Sequence, residues 1–445
     1  MLHFGAHPSG STTRRVLFVP IVSLALIGCS TPALAAVSGE TAFIFSTLSQ
    51  LIHGALVFWM AAGFAMLESG RVRTKSVSTI LLKNITVVSI AGIAFCLVGY
   101  NLMYDGVDGG LWGSLKPWSP DDGTALNGDV GAGRASAAHW FFQMVFVATA
   151  ASIVSGTLAE RIKLWPFFGF VFCLTAFIYP IEGAWAWGGG WLSKLGFVDF
   201  AGATIVHSVG GWAALTGAII LGARRGKFDA DGKPRKMNAS SLPLATLGTF
   251  ILWLGWLGFN GGSVAKLSSA ADAVLLANIY ANTMLAAAGG LVVSVIMAQI
   301  LYRRIDVGIV LNAALGGLVS ITACPDTATV WQSILIGGIG GAIVVLSTSL
   351  LDRFGVDDVV GAVPVHLFAG IWGTFAVAFA HPDASPVVQL LGIAAIGLFT
   401  AATSTLVWLA IKWTVGLRLS KAEEMLGLDR VELGTPAYPE FRLNE

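Results

Sequence analysis

The chain has 445 residues, of which 11% are charged and 55% hydrophobic, where an ordinary soluble domain has roughly 25% charged residues. So little charge cannot cover the surface of a water-soluble fold of this size, whereas lipid can cover a membrane protein. A net charge of +1 and the lack of any basic block also exclude nucleic acid as a partner.

The chain opens on a targeting signal. Arg14 and Arg15 precede an apolar run from Val16 to Ile27, and Ala33-Leu34-Ala35 supplies small residues for cleavage, so residues 1–35 read as a secretory signal peptide. A second reading takes Leu26-Ile27-Gly28-Cys29 as a lipoprotein-type cleavage site. Charge-poor stretches follow at 41–67, 84–104, 135–159, 164–181, 200–223, 237–265, 273–302, 307–325, 327–351, 359–382 and 384–411. Crossing about 30 Å of hydrocarbon takes roughly 20 helical residues, so these eleven stretches predict transmembrane helices in an all-α membrane protein. They are apolar all round and lack the alternation of barrel strands. The four cysteines, Cys29, Cys96, Cys173 and Cys324, lie far apart and suggest neither a disulfide framework nor a zinc site. Residues 36–411 form the membrane domain in this reading, and 412–445 a cytoplasmic tail.

Loop charge orients the spans. The loops after spans 1, 3, 5, 7 and 9 hold fifteen Lys and Arg, and those after spans 2, 4, 6, 8 and 10 hold only Lys116, Arg134, Lys194 and Lys266. The positive-inside rule puts the lysine- and arginine-rich loops in the cytoplasm, with the mature N-terminus outside and the tail inside. Span 5 contains Val206-His207-Ser208-Val209-Gly210-Gly211-Trp212, and span 10 contains Val365-His366-Leu367-Phe368-Ala369-Gly370-Ile371-Trp372. An offset of five spans reverses the direction of crossing, which predicts an inverted 5+5 repeat with one extra helix and a shared site near the midplane.

Histidine inside a membrane span is costly and usually functional, so the matched pair His207 and His366 leads the candidates. The alternative is that each ring bonds a neighbouring carbonyl and holds helices in register. His53, His139 and His381 have no match and read as structural or interfacial. Asp199 stands eight residues before His207, about 12 Å of helix away. Its expected role is to cap free backbone N–H groups at the helix start, with direct ligand contact as the alternative. The pairs Gly337-Gly338 and Gly340-Gly341 predict close helix packing.

Several motifs then become recognisable together: Asp199-Phe200-Ala201-Gly202 with Val206-His207, Gly255-Trp256-Leu257-Gly258-Phe259-Asn260, Ala159-Glu160-Arg161, Trp187-Gly188-Gly189-Gly190 and Thr414-Val415-Gly416-Leu417-Arg418. Over about residues 40 to 438 the chain resembles the ammonium transporter family (Amt/Mep/Rh). The resemblance implies eleven helices, a homotrimer with one pore per subunit, and uptake of ammonium or methylammonium across a bacterial inner membrane. It implies that His207 and His366 are the paired pore histidines, that Phe146 and Phe259 are the stacked gate, and that Gln143 and Trp256 line the pore. It implies an outer recruitment site of Phe146, Trp187 and Ser263, with Asp199 as the supporting carboxylate. An aromatic cage over a hydroxyl selects a small cation without a counter-charge that would hold it too tightly.

The sequence also departs from the family pattern. The usual Asp five residues before the second histidine is missing from Gly361-Ala362-Val363-Pro364-Val365-His366, and Pro364 is expected to bend the helix there. Leu67-Glu68-Ser69-Gly70 replaces the commoner Phe-Tyr-Gly-Gly, which predicts loss of an outer Phe and a weaker cage. The tail Gly427-Leu428-Asp429-Arg430-Val431-Glu432-Leu433-Gly434 resembles the family's regulatory tail, with Leu433 where a His is usual. That likeness implies packing under a trimer and a PII-type regulatory partner, and the alternative is a merely solvated end. About 30 residues follow the last span, so no fused signalling domain is expected.

In a narrow apolar pore NH4+ loses its hydration, and proton loss becomes favourable where an acceptor waits. Two neutral imidazoles supply one, so NH3 and H+ are expected to travel separately, and K+ and Na+, with no proton to give up, are refused. A receptor with little flux is the competing class. A membrane enzyme would need a nucleophile or metal set, and no such set, and no cofactor site, stands out.

Overall fold

A bilayer core offers no water to backbone N–H and C=O groups, and the apolar stretches satisfy them internally as helices. The computed structural model describes residues 37–131 and 133–440, so the expected signal peptide lies outside the described residues. The main helices are α1 (Gly39–Arg71), α2 (Thr74–Tyr104), α3 (Ser136–Thr157), α4 (Leu164–Lys194, interrupted at Trp187–Gly190), α5 (Ala203–Leu221), α6 (Leu242–Gly262), α7 (Ala270–Tyr302), α8 (Val307–Ile321), α9 (Val330–Arg353), α10 (Val363–Ala380) and α11 (Pro386–Thr414). Ten of them are long and apolar enough to cross a membrane; α8, with 15 residues, is shorter.

The eighth stretch stops early because its end is used elsewhere. The carbonyls of Thr322 and Ala323 accept from the N–H groups of Ala201 and Phe200, and Asn282 on α7 donates to the carbonyls of Pro325 and Ala328. α2 departs from expectation in the other direction and starts ten residues before 84. Lys83, inside the extended helix, is 1% exposed and donates to the Ser155 carbonyl at 2.9 Å.

Close packing rests on missing side chains. A Cβ on Gly248 of α6 would lie 2.6 Å from the Gly63 carbonyl of α1, and one on Gly290 of α7 would lie 3.0 Å from the Gly337 carbonyl of α9. Backbones therefore touch directly, as small residues allow in membranes.

At the end of the bundle that carries the tail, here the tail end, ions tie the loops together. Arg224, after α5, donates to Glu160 at 2.8 Å and to both oxygens of Asp357 at 2.8 and 2.9 Å, and Glu160 also takes Arg73. Burial would raise the Asp357 carboxyl, but its bonds to Arg224 outweigh that and hold it near 2, below the ordinary 3.8. That depression corresponds to about 2 kcal/mol of folded-state stability, present above the unfolded value and lost as pH falls through the folded one. Melting in detergent by scanning fluorimetry should therefore show Asp357→Asn well below wild type at pH 7, with the gap nearly closed at pH 2.

The tail does not hang free. Lys163 and Leu419 exchange backbone bonds with Leu417 and Arg161. A six-residue helix, α12 (Lys421–Leu426), follows; its Glu424 takes Arg418 and the N–H of Arg225, and Lys75 donates to the Glu424 and Met425 carbonyls. Asp429 then caps the start of α2, accepting from the N–H groups of Ser78 and Thr79 and from the Thr79 hydroxyl.

Candidate functional site

Two segments of the chain, each an Asp-x-x-Gly-x-x-x-x-His run, build the centre of the site. In the first, Asp199 accepts four backbone N–H groups, from Gly202 and Ala203 on one oxygen and from Thr204 and Ile205 on the other, at 2.8 to 3.0 Å. The capping role expected of Asp199 is the one observed. In the second, Asp358 accepts from the N–H groups of Gly361 at 3.0 Å and Val363 at 2.7 Å and from the Thr157 hydroxyl at 3.0 Å. Gly202 and Gly361 both have positive φ, +99° and +79°, which turns the chain into the helix start. Burial pushes both carboxyls above their ordinary value, and the N–H bonds they accept oppose it.

Asp358 is the residue the sequence reading missed. It lies eight residues before His366, the spacing that Asp199 keeps to His207, and not at the fifth position of the family pattern. Pro364 stands where Ile205 donates in the first segment, so one N–H is absent, and Thr157 supplies a donor to the same carboxylate. Pro364 does not set its helix apart: a π turn, Val363–Phe368, surrounds it, and the matching turn without proline is Ala203–Ser208.

Each π turn carries one histidine, and the two rings meet. His207 Nδ1 and His366 Nδ1 are 3.2 Å apart, with ring centroids at 5.2 Å and planes 25° apart; the residues are 0% and 3% exposed. An Nδ1 to Nδ1 bond requires one ring to donate and the other to accept, which fixes complementary tautomers and leaves one Nε2 protonated and the other bare. The His207 Nε2 has no protein partner.

An aromatic column continues from the pair. Trp256 stacks on His207 at 4.8 Å and is held by its Nε1 donating to the Thr322 hydroxyl at 2.8 Å. Phe259 lies 5.1 Å from His207, and Phe146 stacks face to face on Phe259 at 3.9 Å and 4°. Trp187, 5.9 Å from Phe146, is anchored by its Nε1 donating to the Asp199 carbonyl at 2.9 Å. The structure thus brings Phe146, Trp187, Asp199, Trp256, Phe259, His207 and His366 together. Ser263 closes α6 with its hydroxyl donating to the Phe259 carbonyl at 3.0 Å, and Gln143 keeps a buried amide oxygen with no protein partner. His53, His139 and His381 each bond a neighbour outside this column: Tyr280, Tyr100 and the Asp383 N–H.

The expected loss of an outer Phe at Leu67-Glu68-Ser69-Gly70 is corrected by position. α1 passes the aromatic column at His53, which with Phe142 crowds Gly262, and Glu68 lies fifteen residues on, about 22 Å along the helix. Leu67 and Glu68 instead wall a small cavity with His366, on the tail side of the ring pair. Among the described residues no cluster of three or more His, Cys, Asp or Glu is arranged to hold a metal ion.

A model of the Ammonium Transporter Family matches residues 48–438. Ammonium transporter Amt2 of Archaeoglobus fulgidus is 41% identical over 430 residues, covering 89% of this chain and 88% of that protein. A putative ammonium transporter of Synechocystis is 38% identical and covers 89% of each chain. Among solved structures, a Sensor Amt Protein matches with a TM-score of 0.83 at 34% identity, over 89% of this chain and 100% of that one. Mep2 of Candida albicans matches with a TM-score of 0.77 at 25% identity, over 91% and 93%.

Proposed function

The chain belongs to the ammonium transporter family, and from that premise we propose that it moves ammonium by taking off its proton inside the pore and passing NH3 and H+ separately. The observation that carries this reading is the contact of His207 with His366 at the foot of a buried aromatic column. Ammonium is recruited at Trp187, Phe146 and Ser263, where ring faces attract a cation and the hydroxyl, with lone pairs left, accepts from it. Asp199, occupied by four N–H groups, serves as the support that fixes the Trp187 end of the cage. Phe146 and Phe259 form the gate that strips water, and Gln143 and Trp256 line the way past it.

Desolvation then favours the neutral amine over the cation. The bare Nε2 accepts the proton, the Nδ1 to Nδ1 bond relays it to the second ring, and NH3 continues alone. In this reading the two histidine segments are related halves of an inverted 5+5 repeat, and all eleven helices cross the membrane. The tail end faces the cytoplasm of a bacterium, residues 1–35 are removed, and the protein is a homotrimer in the inner membrane. The docked tail, from residue 412, offers a place where a PII-type protein would read or block the exit.

A second reading is an ammonium sensor with little flux, supported by the likeness to the Sensor Amt Protein. Purified protein in proteoliposomes decides between them. Transport expects a current on each ammonium pulse, uptake of labelled methylammonium, and no response to K+ or Na+. Ammonium-dependent changes at the tail without current or uptake would overturn transport in favour of sensing.

A further inference from the structure

Glu68 is a buried charge that the pathway above leaves unused. It is 1% exposed on α1, four residues after Phe64, so both lie on one helix face. Phe64 packs 6.3 Å from His366, and Phe64, Glu68, Leu67, Asn312, Val360 and His366 share the walls of one small cavity. Glu68 Oε2 accepts from the Ser155 hydroxyl at 2.8 Å and from the Asn84 amide at 3.2 Å. Lys83 supplies the compensating charge without bonding to it: its ammonium donates to the Ser155 carbonyl at 2.9 Å and lies 4.1 Å over the Phe167 ring.

A buried carboxylate kept only for packing needs a direct partner, because an uncompensated charge is expensive in an apolar interior. Here the cation is held one residue away through Ser155, and Glu68 shares the walls of one cavity with His366. That arrangement steadies the ionised form without locking it into a closed pair.

Building on the transport reading, we propose that Glu68 receives the proton from His366 and returns it to ammonia on the tail side. The His366 N–H bond breaks and a carboxyl O–H forms, directly or across one water in the cavity. The acid then gives that proton to arriving NH3, which leaves as NH4+, and the carboxylate is restored. No electrons change hands, and one positive charge crosses per amine.

The test compares ammonium-pulse current and labelled methylammonium uptake for wild type, Glu68→Gln and Glu68→Asp in proteoliposomes. Glutamine keeps an oxygen for Ser155 and Asn84, so the fold should hold. The expected result for Glu68→Gln is a current lower by about tenfold or more, with less charge moved per labelled amine. A merely structural Glu68 would lower both readouts together and leave their ratio untouched, which would overturn the proposal. Should the glutamine variant fail to fold, the solvent deuterium isotope effect on the Glu68→Asp current decides: larger than wild type supports the relay, unchanged overturns it. Wild-type protein with no ammonium current overturns the transport reading together with this one, whereas wild-type current undiminished by Glu68→Gln overturns this inference alone.

Discussion

Replacing His207 with alanine is expected to remove the ammonium-evoked current, by on the order of 100-fold, while leaving the protein folded. The size follows from what a positioned proton acceptor contributes, about 100-fold to 10,000-fold in general acid–base steps. His207 stands between Phe259 at 5.1 Å and His366 at 5.2 Å, centroid to centroid, so its loss removes the first acceptor beneath the gate and breaks the Nδ1 to Nδ1 bond together. A cation held in that apolar space has nowhere to leave its proton and returns. Solid-supported-membrane recordings on ammonium pulses, wild type against His207→Ala, provide the measurement, with melting temperature as the control for folding. Equal currents would remove His207 from the mechanism.

The second large effect concerns the fold beneath the site. Asp199→Ala is expected to cost most of the folded yield, because four backbone N–H groups lose their shared acceptor in one change. Leaving a buried donor unpaired costs about 1–3 kcal/mol, and a whole protein is stable by only about 5–15 kcal/mol. Asp358→Ala, which strands two bonded N–H groups and the Thr157 hydroxyl, should be milder. Fluorescence-detected size-exclusion profiles of the two variants in detergent check the order. An Asp199→Ala protein as monodisperse as wild type would show that water replaces the carboxylate.

The Asp199 cap was readable because its partners lie within six residues, a distance over which helix geometry is nearly a constant. Asp358 keeps the same Asp-x-x-Gly spacing, three positions before the place where the family pattern has its Asp. The environment of Glu68 and Lys83 is hidden from the sequence for a deeper reason. A charge in an apolar run looks like an interruption until its compensation is known, and here the compensation comes from Ser155 on another helix. The tail posed the same difficulty: Asp429 takes Ser78 and Thr79, about 350 positions away, and its own neighbours give no sign of it.

Apolar run lengths, turn residues and local caps therefore set the helical class, most helix positions, the matched histidines and the Asp199 cap, since each depends on neighbours close along the chain, whereas the aromatic candidates came from the family resemblance. Packing alone decided that His207 Nδ1 faces His366 Nδ1, that α8 stops at Ile321, and that Glu68 lines a cavity with His366. Those outcomes depend on groups as much as 298 residues apart, Glu68 and His366, brought together in an interior that tolerates no unpaired charge, and no spacing along the chain encodes that meeting.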